Sequence, residues 1–351
     1  MLLRSGRRVA TGDEAARAIG SRRRCRAKPD QLSGFPEEIL QEILGVDDWF
    51  PAMEAVHLRG AEIRPVFGFP DLFHYPLTVD ASCDGLFVTG NYICNPATRQ
   101  WAPLASNPRR RLGSLVGLYR HQPSGEYRVL YFICPNAPLP TLILPTTIIC
   151  PNEYRVLTVG TNEPRRVDCP LTELVGGRGP ILCGAPVILN GSLHVHWKNR
   201  SASTRYHKIL VFDTVAESFR HMIPPAVDPR HAMHLLDMGG TLAVATSKDT
   251  VTMSIFGLQD QPQQDVWAFQ YRIKLPVVDI RRFQEQGDWW AKVVSGEGDV
   301  LVSCYGQLLH CDKGGNLVAN FKFDDEIPVV DPHRLKESLI QHAFFEKKTK
   351  N

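Results

Sequence analysis

The chain has 351 residues, 43% hydrophobic and 22% charged, with a formal net charge of +3. This composition excludes a disordered chain, and the near-neutral balance excludes a global electrostatic attraction to nucleic acid. The length allows one large domain or two ordinary ones, with a sizeable core.

The 27 glycines and 26 prolines are scattered, as many short strands with many turns require. Nine cysteines are present: Cys25, Cys83, Cys94, Cys134, Cys150, Cys169, Cys183, Cys304 and Cys311. Their number is odd and no CxxC pair occurs. The arginine-rich start has no apolar core and does not read as a secretory signal. The expectation is reduced, mostly buried thiols in a cytoplasmic or nuclear protein. The sequons at Asn190 and Asn199 carry no meaning without entry to the secretory pathway. The longest apolar stretch, residues 139–150, is broken by Pro140 and Pro145 and is too short to span a bilayer.

Residues 1–30 form a basic leader. Arg22, Arg23, Arg24, Arg26 and Lys28 close it, and Asp13 and Glu14 are the only acids among residues 1–28. It reads as a disordered segment; a nuclear-import tract at 22–28 or an organelle transit peptide are the functional alternatives. Residues 31–60 begin with a helix. Pro36 suits a first helical turn, and Glu37 and Glu38 suit the positive end of the helix dipole. Ile39, Leu40, Ile43 and Leu44 form an apolar stripe, and Gly45 stops the helix. Met53, Val56 and Leu58 leave a short apolar trace that stands for a later helix. Residues 61–76, rich in proline and aromatics, read as an ordered linker.

Strands are expected over residues 77–330. Asp84-Gly85 and Gly90-Asn91 are turn signals, and Leu86, Val88 and then Tyr92, Cys94 alternate at period two. Asn95-Pro96 ends the second strand, and Trp101 follows before Pro103. A hairpin with one aromatic is not stable alone and must stack on copies of itself. Asn190-Gly191 through Phe219, and Gly239-Gly240 through Trp267, repeat the unit at an interval of roughly 40–50 residues, the length of a four-stranded propeller blade. Residues 298–321 form a weaker copy. The closing aromatics Trp101, Phe219 and Trp267 are expected to be largely buried between blades. The unit that runs from Leu115 to Pro170 has Pro164-Arg165-Arg166 after its strand at 154–159 and lacks a closing aromatic. Residues 139–150 are an insertion or an outer strand. Residues 331–351 are expected to hold a C-terminal helix, with Leu335, Leu339, Ile340 and Phe344 on one stripe. The fold class is all-β, a kelch-like propeller of about six blades with a short helical segment before it and a helix after it.

The strings SCDGL at 82–86 and NPATRQW at 95–101 resemble the plant F-box-associated domain, where "SCNGLL" precedes "WNPATREW". SGEYRV at 124–129, NGSLHVHW at 190–197 and residues 209–224 are similar to three further segments of that family, in the same order. FPEEILQEIL at 35–44 looks like the opening of an F-box, which then departs: its Leu-Pro pair and Cys-Lys-Ser-Trp string are missing. The box reads as truncated or degenerate; alternatively this helix simply packs on the propeller. The resemblance implies a protein-interaction module, the substrate receptor of an SCF-type cullin ubiquitin ligase. Pro36, Ile39, Leu40, Ile43 and Leu44 would face a Skp-type adaptor, and the propeller loops would hold a protein substrate. A propeller binding protein that has lost its ligase link is the alternative, and a propeller enzyme the rival from another class.

No catalytic, cofactor-binding or metal residues are assigned. His194 and His196 alternate on a strand and share one face, while His231, His234 and Asp237 are spaced three apart. That second spacing puts neighbours on opposite faces of a strand, so the pattern fits outward-pointing polar groups better than zinc. Gly176-Gly177-Arg178-Gly179 lacks the Gly-Lys-Ser/Thr end of a phosphate loop. Arg109-Arg110-Arg111 follows a turn signal and reads as a solvated loop. Trp289 and Trp290 are either one core and one rim aromatic or two core aromatics. No nucleic-acid or membrane partner is expected.

Overall fold

The computed structural model describes residues 2–4, 53–58, 62–67, 79–105, 114–133, 153–169, 181–182, 184–200, 205–259, 264–282, 290–323, 329–331, 333 and 338–348. The fold is an all-β propeller. Strands β1 (Leu2–Arg4), β2 (Met53–His57) and β3 (Glu62–Phe67) pair in that order. Blade I follows, with β4 (Ala81–Cys83), β5 (Leu86–Thr89), β6 (Tyr92–Asn95) and β7 (Gln100–Pro103). Blade II holds β8 (Ser114–Arg120), β9 (Tyr127–Ile133), β10 (Glu153–Thr158) and β11 (Arg165–Val167). Blade III holds β12 (Ile181–Leu182), β13 (Val187–Leu189), β14 (Ser192–Arg200), β15 (Arg205–Asp213) and β16 (Ser218–Met222). Blade IV holds β17 (Ala232–Met238), β18 (Thr241–Ser247), β19 (Thr252–Gln259) and β20 (Val266–Lys274). A short helix α1 (Val277–Arg281) leads to blade V, with β21 (Trp290–Val293), β22 (Val300–Cys304), β23 (Gln307–Cys311) and β24 (Leu317–Lys322). Finally β25 (Val329–Asp331) pairs with β1, and a 3-10 turn spans Ala343–Lys348.

The inner hairpins form because their turn residues accept positive φ. Asp84 and Gly85 sit at φ 50° and 86°, Asn190 and Gly191 at 48° and 69°, and Gly239 and Gly240 at 60° and 93°. Each pair joins the first two strands of its blade or, in blade III, β13 to β14, by a two-residue turn. Positive φ at both central residues gives a turn whose twist matches that of the strands. In blade III the first strand is broken in two: β12 and β13 both pair with β14. Pro186, between the two pieces, has no N–H to donate to the ladder.

Among the described residues, the core clusters lie between neighbouring sheets. Leu86, Val88 and Ile93 of blade I meet Leu118, Val129 and Tyr131 of blade II. Tyr119, Leu130 and Tyr154 meet Leu193, Trp197 and Phe212. Ile209 and Val211 meet Leu235 and Val244, and Ala243 and Ile255 meet Val300 and Val302. Second strands are therefore covered on both faces: β5 and β22 are buried at every position. Burial of one such side chain contributes about 1.5–3 kcal/mol, so stacking rather than hairpin formation stabilises the ring.

Several expectations are corrected. Five blades are built from consecutive strands, where the repeat suggested about six. The remaining four-stranded sheet, in the order β25-β1-β2-β3, joins the two ends of the chain. Residues 53–58, offered as a later helix, are β2 and its following turn, and β3 lies in the stretch read as a linker. Among the described residues the C-terminal helix is not formed: residue 331 is in β25, residues 338–342 have no regular secondary structure, and a 3-10 turn follows. Leu339 and Ile340, half of the supposed stripe, are 79% and 61% exposed. Trp101, Phe219 and Trp267 are half-buried rather than buried, because they stand on β7, β16 and β20, the outermost strands of their blades.

Candidate functional site

The first strands of the blades turn towards one another around a cavity of about 390 Å³. Strands β4, β13, β17 and β21 all supply lining residues, so the cavity is the mouth of the central channel. Its polar groups are Ser82, Asp84, His234, Asp237, Lys292 and His333, with apolar walls from Val187, Leu235 and Val293 among others.

The two carboxylates belong to the turn ends of their strands and already have partners. Asp84 accepts a hydrogen bond from the Tyr127 hydroxyl at 3.3 Å. Asp237 accepts one from the Gly240 N–H at 2.8 Å. His333 Nδ1 lies 2.9 Å from the Ser82 hydroxyl. Burial, then the neighbouring Lys292 ammonium, pushes His333 down to about 4. The same two causes push His234 down to about 3, with the Val293 backbone acting weakly the other way. Both rings are therefore neutral at pH 7 and each offers one N–H and one lone pair. His234 Nε2 is buried and meets no hydrogen-bond partner within the protein.

The other sequence-predicted groups lie elsewhere. His194 and His196 do stand on one strand, but His194 Nδ1 faces the Val187 carbonyl at 3.3 Å. His196 Nε2 lies 2.9 Å from His207 Nδ1 in the neighbouring strand. Burial is the main cause that lowers both His194 and His207, and it lowers His196 to about 3. Among the described residues, no three His, Cys, Asp or Glu side chains are grouped to hold a metal ion. Cys94, Cys304 and Cys311 are buried, and burial holds the Cys94 and Cys311 thiols up at about 12, so neither is a thiolate at neutral pH. Trp290 is half-buried and packs on the cluster around Leu301 and Phe321. Pro36, Ile39, Leu40, Ile43 and Leu44 lie outside the described residues, as do Arg109-Arg110-Arg111, Gly176-Gly177-Arg178-Gly179, Trp289 and residues 139–150.

Sequence reasoning missed one cluster altogether. Glu217, 8% exposed, accepts hydrogen bonds from the Tyr119 hydroxyl at 2.5 Å and from Arg128 at 2.7 Å, and pairs with Arg165. It links the β15–β16 turn of blade III to β8, β9 and β11 of blade II. The outer strand β11 carries Arg165 and no aromatic, unlike β7, β16 and β20.

Residues 75–312 match the F-box associated beta propeller domain. The chain belongs to that family. The match opens just before β4 and closes just after β23, so it covers blades I to IV and the first three strands of blade V, and leaves out β24 and the sheet that joins the ends. Domains of this family are interaction modules of F-box proteins. Among solved structures, the Swd1 β-propeller domain of Myceliophteria thermophila is similar at 11% identity, with 79% of this chain and 84% of that one covered and a TM-score of 0.39. A family 117 glycoside hydrolase of Zobellia galactanivorans is similar at 13% identity over 56% of this chain and 60% of its own, with a TM-score of 0.32. No curated protein matches the chain. Among the described residues no helix is long and apolar enough to cross a membrane.

Proposed function

We propose that this F-box-associated propeller is the substrate receptor of an SCF-type cullin ubiquitin ligase. The family match over residues 75–312 carries the reading. The string FPEEILQEIL, in the excursion between β1 and β2, supports it from the N-terminal side. In this role the chain does no chemistry. It holds a target protein at the propeller while an adaptor holds the chain, and so raises the local concentration of target beside the ligase. Pro36, Ile39, Leu40, Ile43 and Leu44 form the adaptor-facing stripe.

One observation favours a second reading, a propeller binding protein without a ligase link. Met53–His57 is β2, so that stretch is not available as a second adaptor-facing helix. A stable interface buries about 800 Å² per partner, more than one short helix provides. Under the first reading, adaptor binding is therefore weak but real. A pull-down of the full chain with a plant Skp-type adaptor tests it: capture supports the receptor, and complete loss at high adaptor concentration supports the unlinked propeller.

A further inference from the structure

We propose that the seam between blades III and IV is a proton-operated hinge: uptake of protons by the buried pair His196 and His207 opens this seam ahead of the rest of the ring.

The device begins with alternation along two strands, because successive side chains of a strand point to opposite faces. On β14, Leu193, Val195 and Trp197 join the cluster shared with blade II, which leaves His194, His196 and Lys198 on the face towards blade IV. On β15, His207 shares a face with Ile209 and Val211, which pack with Met233, Leu235 and Val244 of blade IV. The two histidines meet there. His196 Nε2 lies 2.9 Å from His207 Nδ1, and the residues are only 2% and 7% exposed. At that distance one nitrogen carries the proton and the other accepts it. Blade IV supplies the far wall: the Met233 backbone faces His196, and the Pro229 and His231 backbones face His207.

A first added proton would put a charge in this seam, and a second would set two N–H groups head to head. The charges that act most on the pair are basic. They are Lys198 beside both rings, His234 of β17 beside His196, and His231 beside His207. The carboxylates stand at the rim. Asp265, ahead of β20, acts on the neighbouring His194 but is 3.8 Å from Arg220, which opposes it there. The exposed Asp228 faces His231 and Arg230. Burial is the largest cause that lowers both rings of the pair; the facing backbone groups oppose it without overcoming it.

Other histidines of the ring differ. His234 is a single ring beside Lys292 and the Val293 backbone of blade V. His310 of blade V has the Asp299 carboxylate 2.7 Å from its Nε2 to offset a proton. The outer edge of the III–IV seam is tied separately. Trp267 Nε1 donates to the Ile223 carbonyl at 2.7 Å, and the Ile223 N–H donates to Asp265 at 3.0 Å. Opening at the pair therefore turns about that edge. In the opened seam both rings reach water and titrate near the ordinary value of about 6.5. A proton that binds only the open form shifts the equilibrium towards it, so the seam is shut above that pH and loosens as pH falls. If the closed pair takes up neither proton, each ring multiplies the open fraction by about 25 between pH 7 and pH 5, or about 600 for the pair.

The test is labelling of the full chain carrying Val211→Cys with 4,4′-dithiodipyridine at pH 7, 6 and 5, resolved by peptide mass. Val211 is buried in the III–IV seam, and the native Cys304 and Cys311 are buried in the cluster between blades IV and V. Rates are divided by those of the unfolded chain at the same pH, which removes the thiol's own titration. The open fraction at position 211 should rise about 600-fold from pH 7 to pH 5, and that at Cys304 and Cys311 by about 25-fold at most. His196→Gln with His207→Asn, which keeps polar groups in place but takes up no proton, should remove the excess at position 211. Should Val211→Cys not fold, Val244→Cys on the facing blade gives the same reading. Should the double variant not fold, His196→Gln alone should cut the rise to about 25-fold. An open fraction that does not change with pH, an equal rise at all three thiols, or an unchanged rise in the histidine variants overturns the hinge.

Discussion

Two turns of the propeller share one design and carry very different loads. In blade I, Asn95 opens the β6–β7 turn by accepting the Ala97 N–H at 3.0 Å, and Arg99 closes it at φ 54°. In blade III, Asp213 opens the β15–β16 turn by accepting the Val215 and Ala216 N–H groups at 2.8 Å, and Glu217 closes it at φ 49°. The spacing is the same, and each turn is followed by an outer-strand aromatic, Trp101 or Phe219. Yet Arg99 is exposed, whereas Glu217 is buried against Tyr119, Arg128 and Arg165 of the next blade. The backbone sets the turn. Whether it also locks two blades together depends on the side chain at its left-handed position and on what the neighbouring sheet presents.

Acid should strike the buried inter-blade polar groups hardest. His194, His196, His207, His234 and His333 all have folded-state pKa values pushed below 6.5 by burial. Above pH 6.5 both folded and unfolded states are neutral at these sites, and nothing is lost. As pH falls below 6.5 the unfolded chain takes up protons that the folded rings refuse. Stability then drops by about 1.4 kcal/mol per pH unit for each such histidine, until its folded pKa is reached near 3 to 4 for His196, His234 and His333. Denaturant midpoints between pH 7 and 4 measure this, and a flat profile would contradict the neutral, buried rings.

The turns themselves come next. Glu217→Ala leaves Arg128 Nη1 and the Tyr119 hydroxyl without their acceptor, although Arg128 Nη2 keeps Glu126 at 2.8 Å, and breaking a buried pair costs about 3–5 kcal/mol. The half-exposed Arg165, at 54%, puts the expected loss at the low end, about 3 kcal/mol. Asn95→Ala should cost less, about 2 kcal/mol, through its turn bond and the bond that its Nδ2 donates to the Ser338 carbonyl at 2.9 Å. Asp213→Ala, on the exposed counterpart, should cost about 1 kcal/mol. Chemical denaturation of the three variants side by side orders them.

The smallest effect isolates the side chain from the backbone. Arg99→Gly relieves a left-handed residue of about 1 kcal/mol but adds a similar entropy to the unfolded chain, so stability should stay within about 0.5 kcal/mol. Glu217→Gly makes the same backbone change yet should lose nearly as much as Glu217→Ala. Equal outcomes for the two glycine variants would mean that the Glu217 cluster adds nothing.

What the sequence makes legible follows from range. The hairpins at Asp84-Gly85, Asn190-Gly191 and Gly239-Gly240 were readable because a turn is decided by adjacent residues. Strands β9, β22 and β23 fall where the apolar runs place them. The failures are non-local. The stripe through Leu335, Leu339, Ile340 and Phe344 has helical spacing, but Asn95 holds the Ser338 carbonyl and Phe345 packs into the cluster of blades I and II, and residues 338–342 take no regular form. Residues 53–57 became a strand because β1 and β3 flank them, and β1 in turn pairs with residues 329–331. The channel mouth was not readable, because which strands are innermost is decided only when the ring closes. Glu217 gave no signal, since an acid in a turn looks solvated until its neighbouring blade is known.

In the role proposed above, the chain meets its adaptor through the stripe at Pro36, Ile39, Leu40, Ile43 and Leu44, independently of the propeller. The most direct measurement is adaptor binding and thermal unfolding of Leu40→Asp beside the unaltered chain. The unaltered chain should bind the adaptor weakly, and Leu40→Asp should lose that binding while keeping stability within about 1 kcal/mol, as for a surface change. Unfolding of Leu40→Asp would show that the stripe is core, and unchanged adaptor binding would show that the stripe is not the docking surface.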